Sequence, residues 1–334
     1  MSLNVSTPAS MTEYLTGVNY NEYLDYLHQN HPKIYNMLDI DFLRSDSMKV
    51  YVDGINNESW EFEVDGVGGR GIAYNYAQRS IDNRRIGMEY LINLFDFKNT
   101  MFKGGDFFVL DVLGGDGTVA RFAKTMEIDN LNIITADISK YMIDKCYSNK
   151  YSCVRQSATR SLFRNDVLDG VLIAYGSHHI AGEDREIAVR EAHRTLKPGG
   201  IIAFHDFEIG KPSANWFEAV VHPYSRTGHP HPHFTREELK ELFVQAGFRD
   251  FDVFDMHDPF TLRGRTPDEA KENAIMHLYY MYDLIKIGED RSDIVRNLEP
   301  IVEGLFGAIT IEFTGSEYCA TVARDALVAV GKKS

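Results

Sequence analysis

Short apolar runs alternate with segments of helical spacing through the middle of the chain. The run FFVLD at residues 107–111 is typical of a buried strand, the glycines after it predict a turn, and TVARFAKTM has helical periodicity. Further strands are predicted within residues 132–137 and 167–175 and from Ile201 to Phe204, the last entered through a Pro-Gly-Gly turn. Strands that alternate with helices in this order predict an α/β fold built on a parallel sheet.

The first part of the chain has a different pattern. Residues 11–43 place tyrosines and leucines at helical intervals, residues 48–65 are strand-like, GVGGRG at residues 66–71 predicts a loop, and residues 73–95 return to helical spacing. We therefore predict a mainly helical region over residues 1–95, acting as a cap and as the contact of a homodimer, before a sheet domain over residues 96–334. Two helices are expected at about residues 266–310, ahead of one final strand in residues 318–330.

Composition narrows the classes of function. The 334 residues carry a net charge of −14 and no run of lysine and arginine, which argues against a nucleic-acid partner. Three cysteines without paired spacing argue against a disulfide framework. No uncharged apolar run approaches the length that spans a membrane, so we expect no membrane partner and a cytoplasmic protein that acts on a small molecule.

The turn after residue 111 carries the first candidate chemistry. Asp111 begins it, and Gly114, Gly115 and Gly117 let backbone amides approach a nucleotide-like ligand because no Cβ atoms intervene. Asp137 ends the next apolar run, where its carboxylate is placed to accept hydrogen bonds from ribose hydroxyls. Glycines alone are weak evidence, since a dinucleotide fold also opens with a strand, a glycine turn and a helix.

Residues 107–207 resemble the class I S-adenosylmethionine-dependent methyltransferases in the presence and order of these segments. The resemblance implies a Rossmann-like sheet and S-adenosylmethionine as cofactor. The implied cofactor-binding residues are Asp111, Gly114, Gly115, Gly117, Asp137, Ile138, Ser157 and Ala158. Two positions depart from the family pattern: Leu113 stands where the turn usually has its first glycine, and Ser157 replaces the acid beside the adenine.

Two predicted strands end in residues that bind metals. The strand at residues 201–204 leads into His205 and Asp206, and a later strand, FRDFDVFDMH, ends in His257. Two imidazoles and a carboxylate form the facial triad that suits iron or another first-row divalent metal. The competing interpretation is that these are unrelated polar residues at strand ends.

A resemblance to a narrower group of proteins favours the metal-binding interpretation of these three residues. The VLDVLGGDG run, FHDF, the spacing to DMHDP and the helical first region look like the metal-dependent methyltransferases of antibiotic biosynthesis that act on the β-carbon of 2-oxo acids. The resemblance implies an iron-type ion held by His205, Asp206 and His257. A 2-oxo acid would chelate this ion; phenylpyruvate, indolepyruvate, a branched aliphatic acid and 5-guanidino-2-oxopentanoate all share the chelating head.

Several residues remain candidates for other roles. Arg85, with Arg84, Arg263 and Arg265 as alternatives, is expected to pair with the substrate carboxylate. The six histidines His178, His179, His222, His229, His231 and His233 are interpreted mainly as structural or solvated, with one of them a possible general base. Two other functions stay open: a metal-free O- or N-methyltransferase of a small natural product that uses a histidine base, and a non-catalytic module that retains the cofactor pocket.

Overall fold

The computed structural model of the chain describes residues 12–57, 61–64, 69–95 and 105–334. The predicted loop at residues 66–71 and the predicted domain boundary after residue 95 lie partly outside these ranges. The strands are β1 (Glu13–Leu15), β2 (Val18–Asn19), β3 (Phe107–Asp111), β4 (Leu131–Asp137), β5 (Cys153–Arg155), β6 (Leu168–Ile173), β7 (Leu196–Asp206), β8 (Asp250–His257), β9 (Phe260–Gly264), β10 (Thr310–Phe313), β11 (Tyr318–Val322) and β12 (Asp325–Lys332).

The helices form two groups, one before β3 and one around the sheet. Those before β3 are α1 (Tyr20–Asn30), α2 (Pro32–Tyr35), α3 (Ile40–Leu43), α4 (Asp46–Asn57), α5 (Gly71–Ala77) and α6 (Arg85–Asn93). Those after it are α7 (Thr118–Thr125), α8 (Lys140–Ser148), α9 (Arg185–Thr195), α10 (Pro212–Trp216), α11 (His222–Tyr224), α12 (Arg236–Ala246), α13 (Pro267–Met281) and α14 (Arg291–Phe306). None of the helices in the described part of the chain is both long and apolar enough to cross a membrane.

The main sheet has seven strands in the order β5-β4-β3-β6-β7-β12-β8. Strands β3 to β7 pair in parallel, and β12 runs antiparallel to both of its neighbours. The predicted α/β class with a mainly parallel, Rossmann-like sheet is confirmed. The chain passes from β3 outward to β4 and β5, then crosses to β6 and β7. The carboxyl ends of β3 and β6 therefore lie side by side at a topological switch point, where ligands of such sheets bind.

Alternation along each strand builds a core on both faces of the sheet. On β3, the buried Val109 packs with the cluster that holds helices α6 and α7, and the next residue, Leu110, packs with the cluster on the other face. The aromatic positions of the first region join this second cluster. The hydroxyls of Tyr14 and Tyr23 donate hydrogen bonds to the carbonyl oxygens of Arg155 and Cys153 on the edge strand β5. These tyrosines therefore cover the open edge of the sheet.

The strand-like interpretation of residues 48–65 was wrong where the structure describes them, because residues 46–57 form helix α4. Its buried residues are Met48, Val52 and Ile55, which lie four and three positions apart. This spacing follows the helical period and places all three on one face. Residues 58–60 and 65 of the predicted strand lie outside the described residues.

The two helices expected at about residues 266–310 are present as α13 and α14, but the single final strand is two. Strand β11 joins β9 and β10 in a separate three-stranded antiparallel sheet, and β12 returns to the main sheet. Arg324 lies between these two strands and is buried. The prediction of one continuous strand missed this break.

Candidate functional site

The turn from β3 into α7 has the backbone shape that the glycines predicted. Gly115 and Gly117 adopt positive φ angles of 56° and 86°, which favour glycine because other residues are strained there. A Cβ on Gly114 would lie 2.8 Å from Oδ2 of Asp111 and 2.7 Å from Cγ2 of Thr135. The turn therefore packs too closely against Asp111 to admit a side chain at position 114.

Two carboxyl groups, the buried Asp111 and the half-buried Asp137, lie at this turn. The backbone N–H groups of Gly115 and Ser139 donate hydrogen bonds of 3.0 and 2.9 Å to the two carboxylate oxygens of Asp137. Burial raises the pKa of Asp137 to about 6 against these hydrogen bonds. Burial, and then repulsion from Asp137, raises the pKa of Asp111 to about 8. Oδ2 of Asp111 and Oγ1 of Thr135 are buried and have no hydrogen-bond partner among the described residues.

The remaining predicted cofactor residues lie on the two strands next to this turn. Ile138 follows Asp137, and its carbonyl oxygen accepts a 3.0 Å hydrogen bond from Nε of Arg155. Ser157 and Ala158 follow β5, and the N–H of Ser157 donates to the hydroxyl of Tyr51 at 2.6 Å. Since β5, β4 and β3 are neighbours in parallel, all the predicted cofactor residues share one edge of the sheet.

The structure does not bring the three predicted metal ligands together. The side chain of His257 is 57% exposed and contacts Asp325 at 3.1 Å. His205 is buried, and its Nε2 lies 3.3 Å from Oδ2 of Asp258. Asp206 is buried against His178 and His233, whose Nδ1 atoms lie 2.9 Å from its carboxylate oxygens.

Strand geometry explains this separation. Asp206 lies opposite Leu327 of β12, which lies opposite Asp255 of β8, so His257 is two strands away and two residues farther along. With strands about 4.8 Å apart and about 3.3 Å per residue, the Cα atoms of Asp206 and His257 are about 12 Å apart. His205 and Asp206 also point to opposite faces because they are consecutive in β7.

A pocket beside the turn is lined by cationic and aromatic side chains. Its lining residues are Phe62, Arg70, Tyr74, Arg84, Tyr175, His178, His179, Phe207, Phe217, Phe260, Met281, Tyr282 and Arg324. Tyr175, His178 and His179 come from the segment after β6, next to the end of β3. The pocket therefore opens at the switch point of the sheet, beside the predicted cofactor site.

Arg84, and not the predicted Arg85, lies in this pocket. The side chain of Arg85 is 45% exposed and pairs with Asp82 at 2.7 Å. Arg263 and Arg265 are also largely exposed and pair with Glu317 and Glu269. The helical turn that ends at Arg84 directs adjacent side chains differently, so two consecutive arginines have opposite environments.

The three pocket arginines differ in their partners. Arg70 pairs with Glu61, and Arg324 pairs with the buried Asp258. Arg84 is 5% exposed, its guanidinium lies 3.5 Å from the ring centre of Tyr175, and its Nε has no hydrogen-bond partner among the described residues. A buried guanidinium without a hydrogen-bonded anion is costly, so the pocket is suited to an anionic ligand.

The sequence-based interpretation missed the packing of the histidines. His229 and His233, from the His-Pro segment expected to be solvated, are only 6% and 5% exposed and pack against His178. The alternation in HPHPH was a signal for this packing, because a period of two places His229, His231 and His233 on one side of an extended segment. Their partners His178 and His179, after β6, are distant in sequence.

Residues 110–204 match a protein-family model described as methyltransferase domain. A ubiquinone/menaquinone biosynthesis C-methyltransferase from Pseudomonas aeruginosa is 29% identical over 168 residues, which cover 42% of this chain and 64% of that protein. Its counterpart in a Shewanella species is 27% identical over 178 residues, which cover 45% and 69%. The chain thus spans just under two thirds of the first of these relatives.

A solved structure shares the fold. Phosphoethanolamine N-methyltransferase 2 of Haemonchus contortus, in complex with S-adenosyl-L-methionine, superimposes with a TM-score of 0.50 at 17% sequence identity, over 81% of this chain and 57% of that one. This likeness shows a shared fold, and residues 110–204 match a methyltransferase domain.

Proposed function

We propose that this chain, whose residues 110–204 match a methyltransferase domain, uses S-adenosylmethionine to methylate the β-carbon of a 2-oxo acid whose side chain is aromatic or large and apolar. The observation that carries the proposal is the buried Arg84, whose Nε has no hydrogen-bond partner among the described residues and which lies in an aromatic pocket next to the glycine turn.

The turn fits the cofactor. Oδ2 of Asp111 and Oγ1 of Thr135 are buried and have no hydrogen-bond partner in the part of the chain that the structure describes, and Gly114 leaves no room for a side chain beside them. Asp137 and Ile138 would hold the ribose, and Ser157 with Ala158 would flank the adenine. When bound, the cofactor supplies a methyl group on a positively charged sulfur. The raised pKa of Asp111 fits a site whose cationic partner restores the ionised carboxylate.

The arginines support an acid as acceptor. Glu61 and Asp258 neutralise Arg70 and Arg324, so Arg84 is the cation placed to bind a ligand carboxylate through charge-assisted hydrogen bonds. Phe207, Phe217, Phe260 and Tyr282 would contact the rest of the acceptor. Rings and apolar chains suit these walls, whereas the cation of 5-guanidino-2-oxopentanoate would be repelled by the arginines.

Carbon as the accepting atom is supported by the names of the curated relatives, which are C-methyltransferases. The β-carbon of a 2-oxo acid becomes a nucleophile when a proton leaves and the enolate forms. His178 and His179 lie on the pocket wall, and burial lowers the pKa of each imidazole, to about 3 for His178. Both imidazoles are therefore neutral near pH 7.

A metal-free O- or N-methyltransferase is the second candidate. It is favoured by the pairing of His178 Nδ1 with Asp206, because a carboxylate that orients an imidazole is the usual arrangement of a general base.

One assay separates the two candidates. S-adenosylhomocysteine release is measured with phenylpyruvate, indolepyruvate, 4-methyl-2-oxopentanoate, 5-guanidino-2-oxopentanoate and the methyl ester of phenylpyruvate, and the products are located by NMR. We expect turnover of the aromatic acids, little with the guanidine, none with the ester, and a new methyl group on the β-carbon. Equal turnover of acid and ester, or a product methylated on oxygen or nitrogen, would reject the proposal.

A further inference from the structure

We propose that His178, His179 and His229 bind a first-row divalent metal ion through ring nitrogens, while Asp206 and Glu61 fix the orientation of two of the rings. This site differs from the His205, Asp206 and His257 set suggested by sequence. Metal binding there does not depend on the identity of the acceptor; only the role of the ion in holding the acceptor rests on the proposed function.

Ring spacing is the first line of support. One nitrogen from each of the three histidines lies within 4.8 Å of the others. The ring centres are 4.5 Å apart for His178 and His179, 4.9 Å for His178 and His229, and 5.4 Å for His179 and His229. With metal–nitrogen bonds of about 2.1 Å and about 1.1 Å from nitrogen to ring centre, rings on one ion lie about 4.5 Å apart at right angles and about 5.2 Å at the tetrahedral angle. The rings are thus already spaced for a common ion.

Carboxylates hold the opposite nitrogens of two rings. Nδ1 of His178 lies 2.9 Å from Asp206, and Nδ1 of His179 lies 3.1 Å from Glu61. Metal-binding histidines usually donate their second ring N–H to a carboxylate, which fixes the tautomer and leaves the other nitrogen for the ion. In both residues the nitrogen left to coordinate is Nε2.

His229 supplies an independent observation. The residue is 6% exposed, and its Nε2 is buried without a hydrogen-bond partner among the described residues. Buried polar atoms are nearly always paired, so an unpaired imidazole nitrogen beside two other imidazoles points to a ligand that the protein alone does not provide. Burial, and then repulsion from His178 and His179, lowers the pKa of His229, so the ring is neutral as metal binding requires.

Two overlapping groups fit a metal less well. Asp206 groups with His178 and His233, but its carboxylate already accepts hydrogen bonds from the hydroxyl of Ser177, the N–H groups of His178 and Phe207, and both imidazoles. These five donors exceed the roughly four lone-pair sites of a carboxylate. Glu61 groups with His179 and His231, but it is neutralised by Arg70. Both carboxylates are therefore better suited to orient ligands than to bind the ion.

The position of the site indicates what the ion would do. His178 and His179 line the pocket that contains Arg70, Arg84 and Arg324, so an ion on their Nε2 atoms would lie at the wall of this pocket. Three protein ligands leave coordination positions open on a first-row metal. A 2-oxo acid anchored at Arg84 has a keto oxygen that would fill such a position.

The test measures metal without any acceptor. Untagged protein, stripped with a chelator, is titrated with Co²⁺ and followed by visible absorption and by elemental analysis after dialysis. The variants are His229→Ala, Glu61→Gln and, as the matched control, His257→Ala. Far-UV circular dichroism and S-adenosylmethionine binding show that each variant is folded.

We expect one equivalent of Co²⁺ in the wild type and in His257→Ala. Loss of a carboxylate that orients a ligand typically costs 10- to 100-fold in affinity, so Glu61→Gln should weaken binding by roughly 10-fold or more and His229→Ala, which removes a ligand, by more than about 100-fold. No saturable binding in the wild type, unchanged binding in His229→Ala, or loss in His257→Ala would overturn the site. Methyl transfer is assayed separately, so a metal-free enzyme with C-methylation would reject the ion and leave the proposed function standing.

Discussion

Replacement of Arg84 by glutamine tests directly whether the pocket binds an anionic acceptor. Arg84 is buried, and its Nε forms no hydrogen bond among the described residues. The substitution removes its attraction to the ring of Tyr175 and to Asp258, and it also removes the cost of burying a cation. Because these effects oppose each other, we expect the free energy of unfolding to change by less than about 2 kcal/mol.

The substitution should weaken binding of the acceptor much more than it changes the free energy of unfolding. A carboxylate about 4 Å from a guanidinium gains about 4 kcal/mol at an effective dielectric constant of about 20. Truncation of one partner in a buried charge pair costs about 2–5 kcal/mol. A loss of about 3 kcal/mol corresponds to roughly a 100-fold weaker acceptor, since each 1.4 kcal/mol is about tenfold.

The assay is the KM for phenylpyruvate, followed through S-adenosylhomocysteine release, with the Kd for S-adenosylmethionine and the melting temperature measured in parallel. Arg85→Gln is the matched control, since this neighbouring side chain is 45% exposed and loses only surface contacts, with Asp82 and with the ring of Phe122. We expect the KM to rise about 100-fold in Arg84→Gln and less than about twofold in Arg85→Gln. Equal effects of the two substitutions, or a larger effect at Arg85, would refute the placement of the carboxylate.

Three further outcomes are expected. Burial and repulsion from Asp137 raise the pKa of Asp111 from 3.8 to about 8, so the stability that Asp111 contributes is present below pH 4 and is lost as the pH rises to 8. S-adenosylmethionine, in contrast, should bind up to about tenfold tighter per pH unit between pH 6 and 8, because its sulfonium charge favours the ionised carboxylate. Calorimetry should show that Asp111→Asn abolishes the pH dependence of cofactor binding. In Gly114→Ala, a Cβ 2.8 Å from Asp111 should cost about 1–3 kcal/mol of stability and weaken cofactor binding, while Gly182→Ala, with nothing within 4 Å, should do neither in thermal melts and titrations. A chelator should stop methyl transfer, and added Co²⁺ or Zn²⁺ should restore it. Activity that survives complete metal removal would reject a role of the ion in turnover, and it would favour the metal-free O- or N-methyltransferase only if the new methyl group lies on oxygen or nitrogen.

Local signals predicted the sheet and the cofactor turn. The apolar run at 107–111, the glycines after it and the acid at 137 each follow a short-range rule, because a buried strand, a tight turn and a strand-end acid are determined by neighbouring residues. The structure shows the required positive φ angles at Gly115 and Gly117 and places Asp137 within hydrogen-bond distance of Gly115. The assignment of these residues to S-adenosylmethionine remains a prediction.

The pocket lined by the three arginines is assembled by long-range contacts that no window of sequence contains. Arg70 and Arg84 come from the region before the sheet, His178 from the loop after β6, and Arg324 from the break between β11 and β12. Each arginine alone is typical of a solvated surface. The position of Arg324 follows from β12 entering the sheet between β7 and β8, a pairing that the sequence pattern did not predict.

The three predicted metal ligands show that residues at one edge of a sheet need not bring their side chains together. His205, Asp206 and His257 do lie towards the same edge of the sheet, as predicted, but an edge seven strands wide is much longer than the few ångströms that separate ligands on one ion. Strand alternation sends His205 towards Asp258 and Asp206 towards His178. The side chains that do meet come from the segment after β6 and from the extended HPHPH segment that crosses over it, where a period of two directs His229 and His233 inward together. A metal at this edge is therefore better sought among loop histidines that a strand-end carboxylate orients than among the strand residues themselves.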